Sequence, residues 1–275
     1  MCKFVTMSVN GEIISSHNPN YCIVMLHGLG ETHQVWNNCA EYLVENLPVK
    51  ILLPDLPGAG QSQGYHQDDL KDLNFFAEEI LSYIRKNWNK EEVIMICHSM
   101  GGYVALTIAE QIPSLIHGLF LCHSTPEADS EERKQKRLQS IRLFQVNTYQ
   151  YLNEFYKNLF ASENQIVLKD IIEKLLNYGL TLKKELFLST LFALKDRPDR
   201  FHIFRQLPAY KAILAGKYDN ILDFEKLQKI SEMSNATFYP AFHSAHMVMF
   251  EEPGFLNEIL HNFVEKCINH FKLTT

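Results

Sequence analysis

The stretch I-M-I-C-H-S-M-G-G, Ile94 to Gly102, followed at once by YVALTIAE, decides the fold. The run EVIMIC from Glu92 to Cys97 has no polar alternation after its first residue, as a strand covered on both faces requires. From Met100 to Ile112 the apolar spacing changes to that of a helix. Ser99 stands at the junction, with Gly101 two residues later. An attacking hydroxyl must project from a sharp, strained turn, and small neighbours let backbone and substrate approach. The helix that follows aims its first N–H groups at the same point, where they stabilise developing negative charge. The pattern is G-x-S-x-G with Cys97 in place of the first glycine. The plain alternative is that Ser99 only caps the helix.

Working outward, further apolar runs repeat the theme: Tyr21 to Leu26 (YCIVML), Lys50 to Leu53 (KILL, closed by Pro54), Ile116 to Cys122 (IHGLFLC), Tyr210 to Ala215 (YKAILA) and Thr237 to Tyr239. Between them lie helical patterns over Asp69–Trp88, Met100–Ile112, Phe224–Ile230 and Gly254–Phe271. Strand and helix in alternation imply an α/β fold, a mostly parallel sheet with helices on both faces. Right-handed crossovers then line the strand C-termini along one edge, where such folds carry their sites. At the start, Lys3–Val9 and Glu12–Ser15 flank Asn10-Gly11, a hairpin signal.

Residues 126–201 break the rhythm. EERKQKRLQSIRLF, TYQYLNEFYKNLFA, ENQIVLKDIIEKLLNYG and LKKELFLSTLFALK read as helices, bounded by Thr125-Pro126 and Arg197-Pro198. The expectation is a helical lid inserted into a core made of residues 1–125 and 202–275. Its aromatics, Phe144, Tyr149, Tyr151, Phe155, Tyr156, Phe160, Phe187 and Phe192, fit the lid's own core or an apolar cap over the site.

Four other motifs sit at successive strand ends: HGLG at His27–Gly30, DLPGAGQS at Asp55–Ser62, AGKYDN at Ala215–Asn220 and HSAHMVMFEEP at His243–Pro253. With CHSMGG, these resemble the α/β-hydrolase superfamily over nearly the whole chain and in the expected order. The resemblance implies about eight strands and a serine hydrolase with Ser99 as nucleophile, Asp219 as acid and His246 as base, in the chain order this fold uses. It also implies an oxyanion hole from the N–H groups of Leu29 and Met100. His243 is the alternative base and Asp223 the alternative acid. HGLG read alone is a glycine turn. The family's glycine before the histidine is Ala245 here, and Ala59 stands where a histidine is common. Asp55 reads as the residue that fixes the LPGAG turn, and His98 as structural. His27, Gly28, His33, Trp36 and His123, with Ser124, are candidate substrate-binding positions that could equally be packing residues.

Composition excludes much. Hydrophobic residues are 46% and charged residues 21%, ordinary for a globular chain. The net charge is −6, and the one dense basic run, Arg133 to Arg137, follows Glu131 and Glu132, so a nucleic-acid partner is not expected. Six cysteines form no CxxC pair, which suits a reducing compartment. The N-terminus shows no apolar signal segment and no stretch is apolar enough to span a bilayer, so a cytoplasmic location without a stable membrane anchor is expected. No HExxH or comparable ligand set is present, so neither metal nor cofactor is expected.

The resulting expectation is an acyl-enzyme hydrolase of a small to medium apolar carboxylic ester. Thioesters, lactones, amides and C–C bonds next to a carbonyl suit the same triad, and cofactor-free perhydrolysis would need peroxide-dependent activity. A serine at the elbow argues against dehalogenase or epoxide-hydrolase chemistry, where this fold uses aspartate. The alternative from another class is a non-catalytic protein that binds a small ligand on the same scaffold.

Overall fold

In the computed structural model, residues 8–90 and 92–274 are described. The strands are β1 (Gly11–Ser15), β2 (Tyr21–Leu26), β3 (Val49–Pro54), β4 (Val93–His98), β5 (Ile116–Cys122), β6 (Tyr210–Gly216) and β7 (Thr237–Ala241). They form one sheet in the order β1-β3-β2-β4-β5-β6-β7, antiparallel only between β1 and β3. The six apolar runs read from the sequence are β2 to β7, each displaced by at most two residues.

The first helices are α1 (Asn37–Asn46), α2 (Leu73–Asn87) and α3 (Met100–Gln111). Four more, α4 (Glu131–Val146), α5 (Thr148–Asn158), α6 (Lys169–Thr181) and α7 (Lys184–Lys195), lie between β5 and β6 without an intervening strand. The chain ends with α8 (Phe201–Gln206), α9 (Phe224–Ser234), α10 (Val248–Glu251) and α11 (Pro253–Thr274). Two apolar clusters cover the two faces of the sheet. One gathers Val24, Leu26, Met95 and Cys97 with α2, α3 and α9, and the other gathers Ile23, Met25, Ile94 and Ile96 with α1 and α11. Successive residues of β2 and β4 thus point to opposite, equally dry faces, which is why neither strand alternates in sequence.

The Asn10-Gly11 reading is corrected. Gly11 opens β1, which pairs with β3, the Asn10 carbonyl already accepts the Asp55 N–H at 2.8 Å, and neither Asn10 nor Gly11 has the positive φ of a tight hairpin turn. A Cβ at residue 11 would lie 2.2 Å from the Leu53 carbonyl oxygen, so the glycine serves a close approach to β3 and not a turn. Ser8–Asn10 carry no strand, and Lys3–Met7 lie outside the described residues. The helix expected from Glu163 begins later, at Lys169. Residues 162–168 form turns, with Ile166 and Val167 exposed.

After β2 the chain crosses to β3 on one side, and after β3 it returns to β4 on the other. The C-terminal ends of β2 and β4, hydrogen-bonded neighbours, therefore diverge at a topological switch point, the crevice where open α/β sheets bind ligands. His27 follows β2 and Ser99 follows β4.

Candidate active site

Ser99 has φ 48° and ψ −112°, a left-handed backbone for a residue with a side chain. Such a conformation costs on the order of 1–3 kcal/mol and persists only where its surroundings impose it. Here the Ser99 N–H donates to the Cys122 carbonyl at 2.9 Å. Ser124 Oγ donates to the Ser99 carbonyl at 2.8 Å, and the Gly102 N–H donates to it at 3.0 Å. The Ser99 side chain makes no capping hydrogen bond to α3, so simple capping does not account for it. The neighbouring thiols of Cys97 and Cys122 are buried, and burial pushes both well above the ordinary thiol range, so neither is a competing nucleophile.

Asp219 stands just beyond β6 and His246 beyond β7. His246 Nδ1 donates to Asp219 Oδ2 at 2.7 Å. His123, one residue past β5 and at φ 46°, donates from Nδ1 to the same oxygen at 3.2 Å. The other carboxylate oxygen accepts the backbone N–H groups of Ile221 at 2.7 Å and Leu222 at 3.0 Å. Burial favours the neutral acid, but His246 and His123 outweigh it and hold the Asp219 carboxyl far below the usual range. Burial pushes the His123 imidazolium down to about 4, so His123 is neutral near pH 7. His123, Asp219 and His246 are also the grouping among the described residues whose ligand atoms lie close enough for one metal ion. An ion there would have to displace the Nδ1 protons of both histidines.

The 27–30 loop is braced from below. Leu56 N–H donates to His27 Nε2 at 2.9 Å, which makes Nε2 the acceptor and leaves the proton on Nδ1, 2.8 Å from the Gly28 carbonyl. Leu29 and Met100 line one cleft together with His27, Gly28 and, from the segment between β5 and β6, Leu186 and Phe187. Its free space is only about 30 Å³, room for one or two waters.

Other sequence-derived positions fall elsewhere. His33 and Trp36 do not line that cleft. His33 is buried and gives Nδ1 and its backbone N–H to Asp55 Oδ1 at 2.8 and 2.9 Å, while Trp36 lies in the core under the sheet. Asp55 also accepts the Gln61 N–H at 2.8 Å and so closes the LPGAG turn. His123 is buried against Asp219, which leaves no surface for a substrate. Asp223 caps α9 by accepting the Lys226 N–H at 2.7 Å. His243 is exposed, and its backbone N–H donates to Glu252 Oε2 at 3.1 Å.

One residue, Glu31, escaped the sequence reading, and two others, Tyr156 and Glu251, were legible there only as an aromatic of 126–201 and as part of HSAHMVMFEEP. Glu31, directly after HGLG, is buried and accepts the Gly28 N–H at 2.8 Å. Tyr156 on α5 donates to the Gly30 carbonyl at 2.6 Å. Glu251 on α10 accepts the N–H groups of Ala245 at 2.9 Å and Met247 at 3.2 Å with one oxygen, and the Ala161 N–H at 2.8 Å with the other. The partners of all three are set by tertiary contacts.

A family model described as alpha/beta hydrolase fold matches residues 21–253. The chain belongs to the alpha/beta hydrolase family. Among sequence relatives, the pimeloyl-[acyl-carrier protein] methyl ester esterase of Sodalis glossinidius is 34% identical over 106 residues, 38% of this chain and 37% of that protein's length. The match thus spans well under half of that relative. A thermophilic esterase from Thermogutta terrifontis superposes with TM-score 0.80 at 20% identity, covering 94% of each chain. The enol-lactonase from Burkholderia xenovorans LB400 gives TM-score 0.81 at 14% identity, covering 94% of this hydrolase and 96% of its own chain. At such identities the superpositions establish the shared fold. Among the described residues of this alpha/beta hydrolase, no helix is long and apolar enough to cross a membrane.

Proposed function

We propose that this hydrolase cleaves a small to medium apolar carboxylic ester through an acyl-enzyme. The observation that carries the reading is the 2.7 Å bond from His246 Nδ1 to Asp219, set at the sheet edge where Ser99 is held in its strained turn. With Nδ1 committed to the carboxylate, the neutral His246 ring keeps its lone pair on Nε2. That nitrogen takes the Ser99 proton as Oγ attacks the ester carbonyl. Asp219 holds the tautomer and stabilises the imidazolium that forms. The Leu29 and Met100 N–H groups receive the oxyanion. Nε2 then protonates the leaving alcohol, and water activated by the same histidine releases the acid.

The segment 126–201 serves as the lid, with α8 belonging to the core through its packing on α3 and α9. Phe144 and Phe187 stack at 4.8 Å, and Tyr151 and Tyr156 are buried with them, so most of the lid's aromatics form its own core. Leu182, Leu186, Phe187 and Thr190 narrow the cleft beside Leu29 and Met100. An acyl group larger than a water or two enters only when these side chains move, as lids do on substrate binding. The five cysteines among the described residues are buried and unpaired, which suits a reducing, cytoplasmic setting.

The test is hydrolysis of p-nitrophenyl esters from acetate to decanoate by the wild type and by Ser99→Ala. Turnover that peaks at one chain length and vanishes in the variant supports the reading. Undiminished turnover in Ser99→Ala overturns it.

A further inference from the structure

Glu31 and His98 are both buried, and the serine mechanism above uses neither. His98 lies at the end of β4, one residue before Ser99, and both of its ring nitrogens face acceptors. Nδ1 is 3.0 Å from Glu31 Oε2 and Nε2 is 2.9 Å from the backbone carbonyl of His246. With Nε2–H on the His246 carbonyl, the Nδ1 contact shares one further proton with Glu31, and the raised pKa of His98 and lowered pKa of Glu31 place that proton on the ring, against an ionised Glu31. The same Glu31 oxygen accepts the Gly28 N–H at 2.8 Å. One chain of three hydrogen bonds therefore runs from the 27–30 loop through Glu31 and His98 to the backbone of His246.

We propose that Glu31 and His98 form a buried carboxylate–imidazolium pair that positions the oxyanion loop and the catalytic histidine relative to each other. The proposal rests on the serine-hydrolase reading for the word catalytic, though the charge state of the pair does not. Glu31 fixes the Gly28 peptide, and with it the direction of the next N–H, that of Leu29. His98 fixes the His246 backbone, and with it the point from which the ring reaches Ser99. Burial opposes charging His98, yet the Glu31 carboxylate and the His246 carbonyl raise its pKa above the ordinary imidazole value. Burial likewise opposes an ionised Glu31, and His98 offsets this and holds the carboxyl below its ordinary value. The other groups facing His98 are the rings of His246, His123 and Trp36, with centroids at 5.0, 6.0 and 6.4 Å, and the Asp219 carboxylate beyond them. A buried ion pair is a poor source of stability, since its desolvation offsets its attraction, and two well-packed apolar residues commonly replace one without loss. Stability alone thus gives little reason for a charged pair here, whereas fixing two loops in register does.

Two measurements on the full chain test this. In the first, nitrogen-15 NMR of histidine-labelled protein at pH 8 reads the protonation of His98, assigned by the signal lost in His98→Asn. Both ring nitrogens protonated, at a pH where an ordinary imidazole is neutral, is the expected result. A neutral His98 overturns the pair. The second compares Glu31→Leu/His98→Leu with the wild type. A thermal melt shows whether the variant folds, and the expected result is a folded enzyme whose kcat falls about 100-fold, the scale of a lost oxyanion donor, with KM changed much less. A folded double variant with kcat within about threefold of wild type overturns the positioning role. If the double variant does not fold, Glu31→Gln serves instead. It keeps an acceptor for Gly28, should strip His98 of its second proton in the NMR spectrum and should lower kcat, and unchanged kcat with a neutral His98 overturns the proposal. Failure of the parent reading is separate, because it appears as activity surviving in Ser99→Ala while the NMR result still decides the pair.

Discussion

Replacing Asp219 by asparagine isolates the carboxylate's role, because the structure leaves the amide no good orientation. All four partners of Asp219 are donors: His246 Nδ1 and His123 Nδ1 on one oxygen, and the backbone N–H groups of Ile221 and Leu222 on the other. An amide offers one accepting oxygen and one donating NH₂, so in either orientation two donors face two donors. With the oxygen on the backbone side, His246 must turn its Nδ1 into an acceptor and move its proton to Nε2. That tautomer cannot accept the Ser99 proton. Replacing a triad carboxylate by its amide in this way costs on the order of 10⁴ in kcat. At about 1.4 kcal/mol per factor of ten, this is about 5–6 kcal/mol of lost transition-state stabilisation. With the amide reversed, the tautomer survives but two backbone N–H groups lose their acceptor, at about 1–3 kcal/mol of stability each. The first outcome is expected to dominate, since the two backbone bonds are local and short. The assay is steady-state hydrolysis of the best p-nitrophenyl ester together with a thermal melt. The expected result is kcat/KM down about 10⁴-fold with a small change in melting temperature. A variant within tenfold of wild type would refute the assignment of Asp219, and Asp223 could not simply replace it, because that carboxylate is engaged in capping α9.

Further outcomes are expected elsewhere. A Cβ in Gly101→Ala would lie 2.6 Å from the Leu26 carbonyl oxygen, inside the central sheet, so the elbow cannot close; loss of fluorophosphonate labelling and of soluble yield is expected, and normal labelling would count against it. Tyr156→Phe leaves the buried Gly30 carbonyl without its 2.6 Å donor, at about 1–3 kcal/mol, seen as a fall of several degrees in a thermal melt. An unchanged melt would show α5 to be loosely held there. His123 carries a pH signature. Its folded pKa of about 4 lies below the unfolded value of 6.5, so between these the unfolded chain binds the proton more readily. The resulting stability is complete above about pH 6.5, is lost as pH falls toward 4, and amounts to on the order of 3 kcal/mol. Urea unfolding at pH 4.5 and 7 should show a shallower pH dependence for His123→Phe than for the wild type; equal slopes would contradict the burial argument.

Five strands, β2 to β6, were legible in sequence because a strand dry on both faces has to be apolar throughout, and each was closed by a polar or glycine-rich motif; β7, half-buried at the sheet edge, left only the short stretch Thr237 to Tyr239. The elbow around Ser99 was legible because strand-to-helix chemistry is local, lying within the nine residues from Ile94 to Gly102. The order Ser99, Asp219, His246 followed from three strand ends and the resemblance they carry. The Asn10-Gly11 dipeptide misled, since a tight turn and a close approach to a neighbouring strand both favour glycine and only the partner strand tells them apart. His33, Trp36 and His123 could not be separated from pocket residues, because their burial depends on loops distant in the chain. Glu31 went unseen for the same reason: its meaning lies in His98, 67 residues away, and in a backbone carbonyl 148 residues beyond that. The sequence by itself thus determined the strands β2 to β7 and the elbow, which local periodicity and covalent neighbours encode, and named the residues proposed for catalysis. Only the tertiary structure decided which buried polar groups meet, because the sequence writes no record of contacts between distant side chains and the burial that gives them their charge.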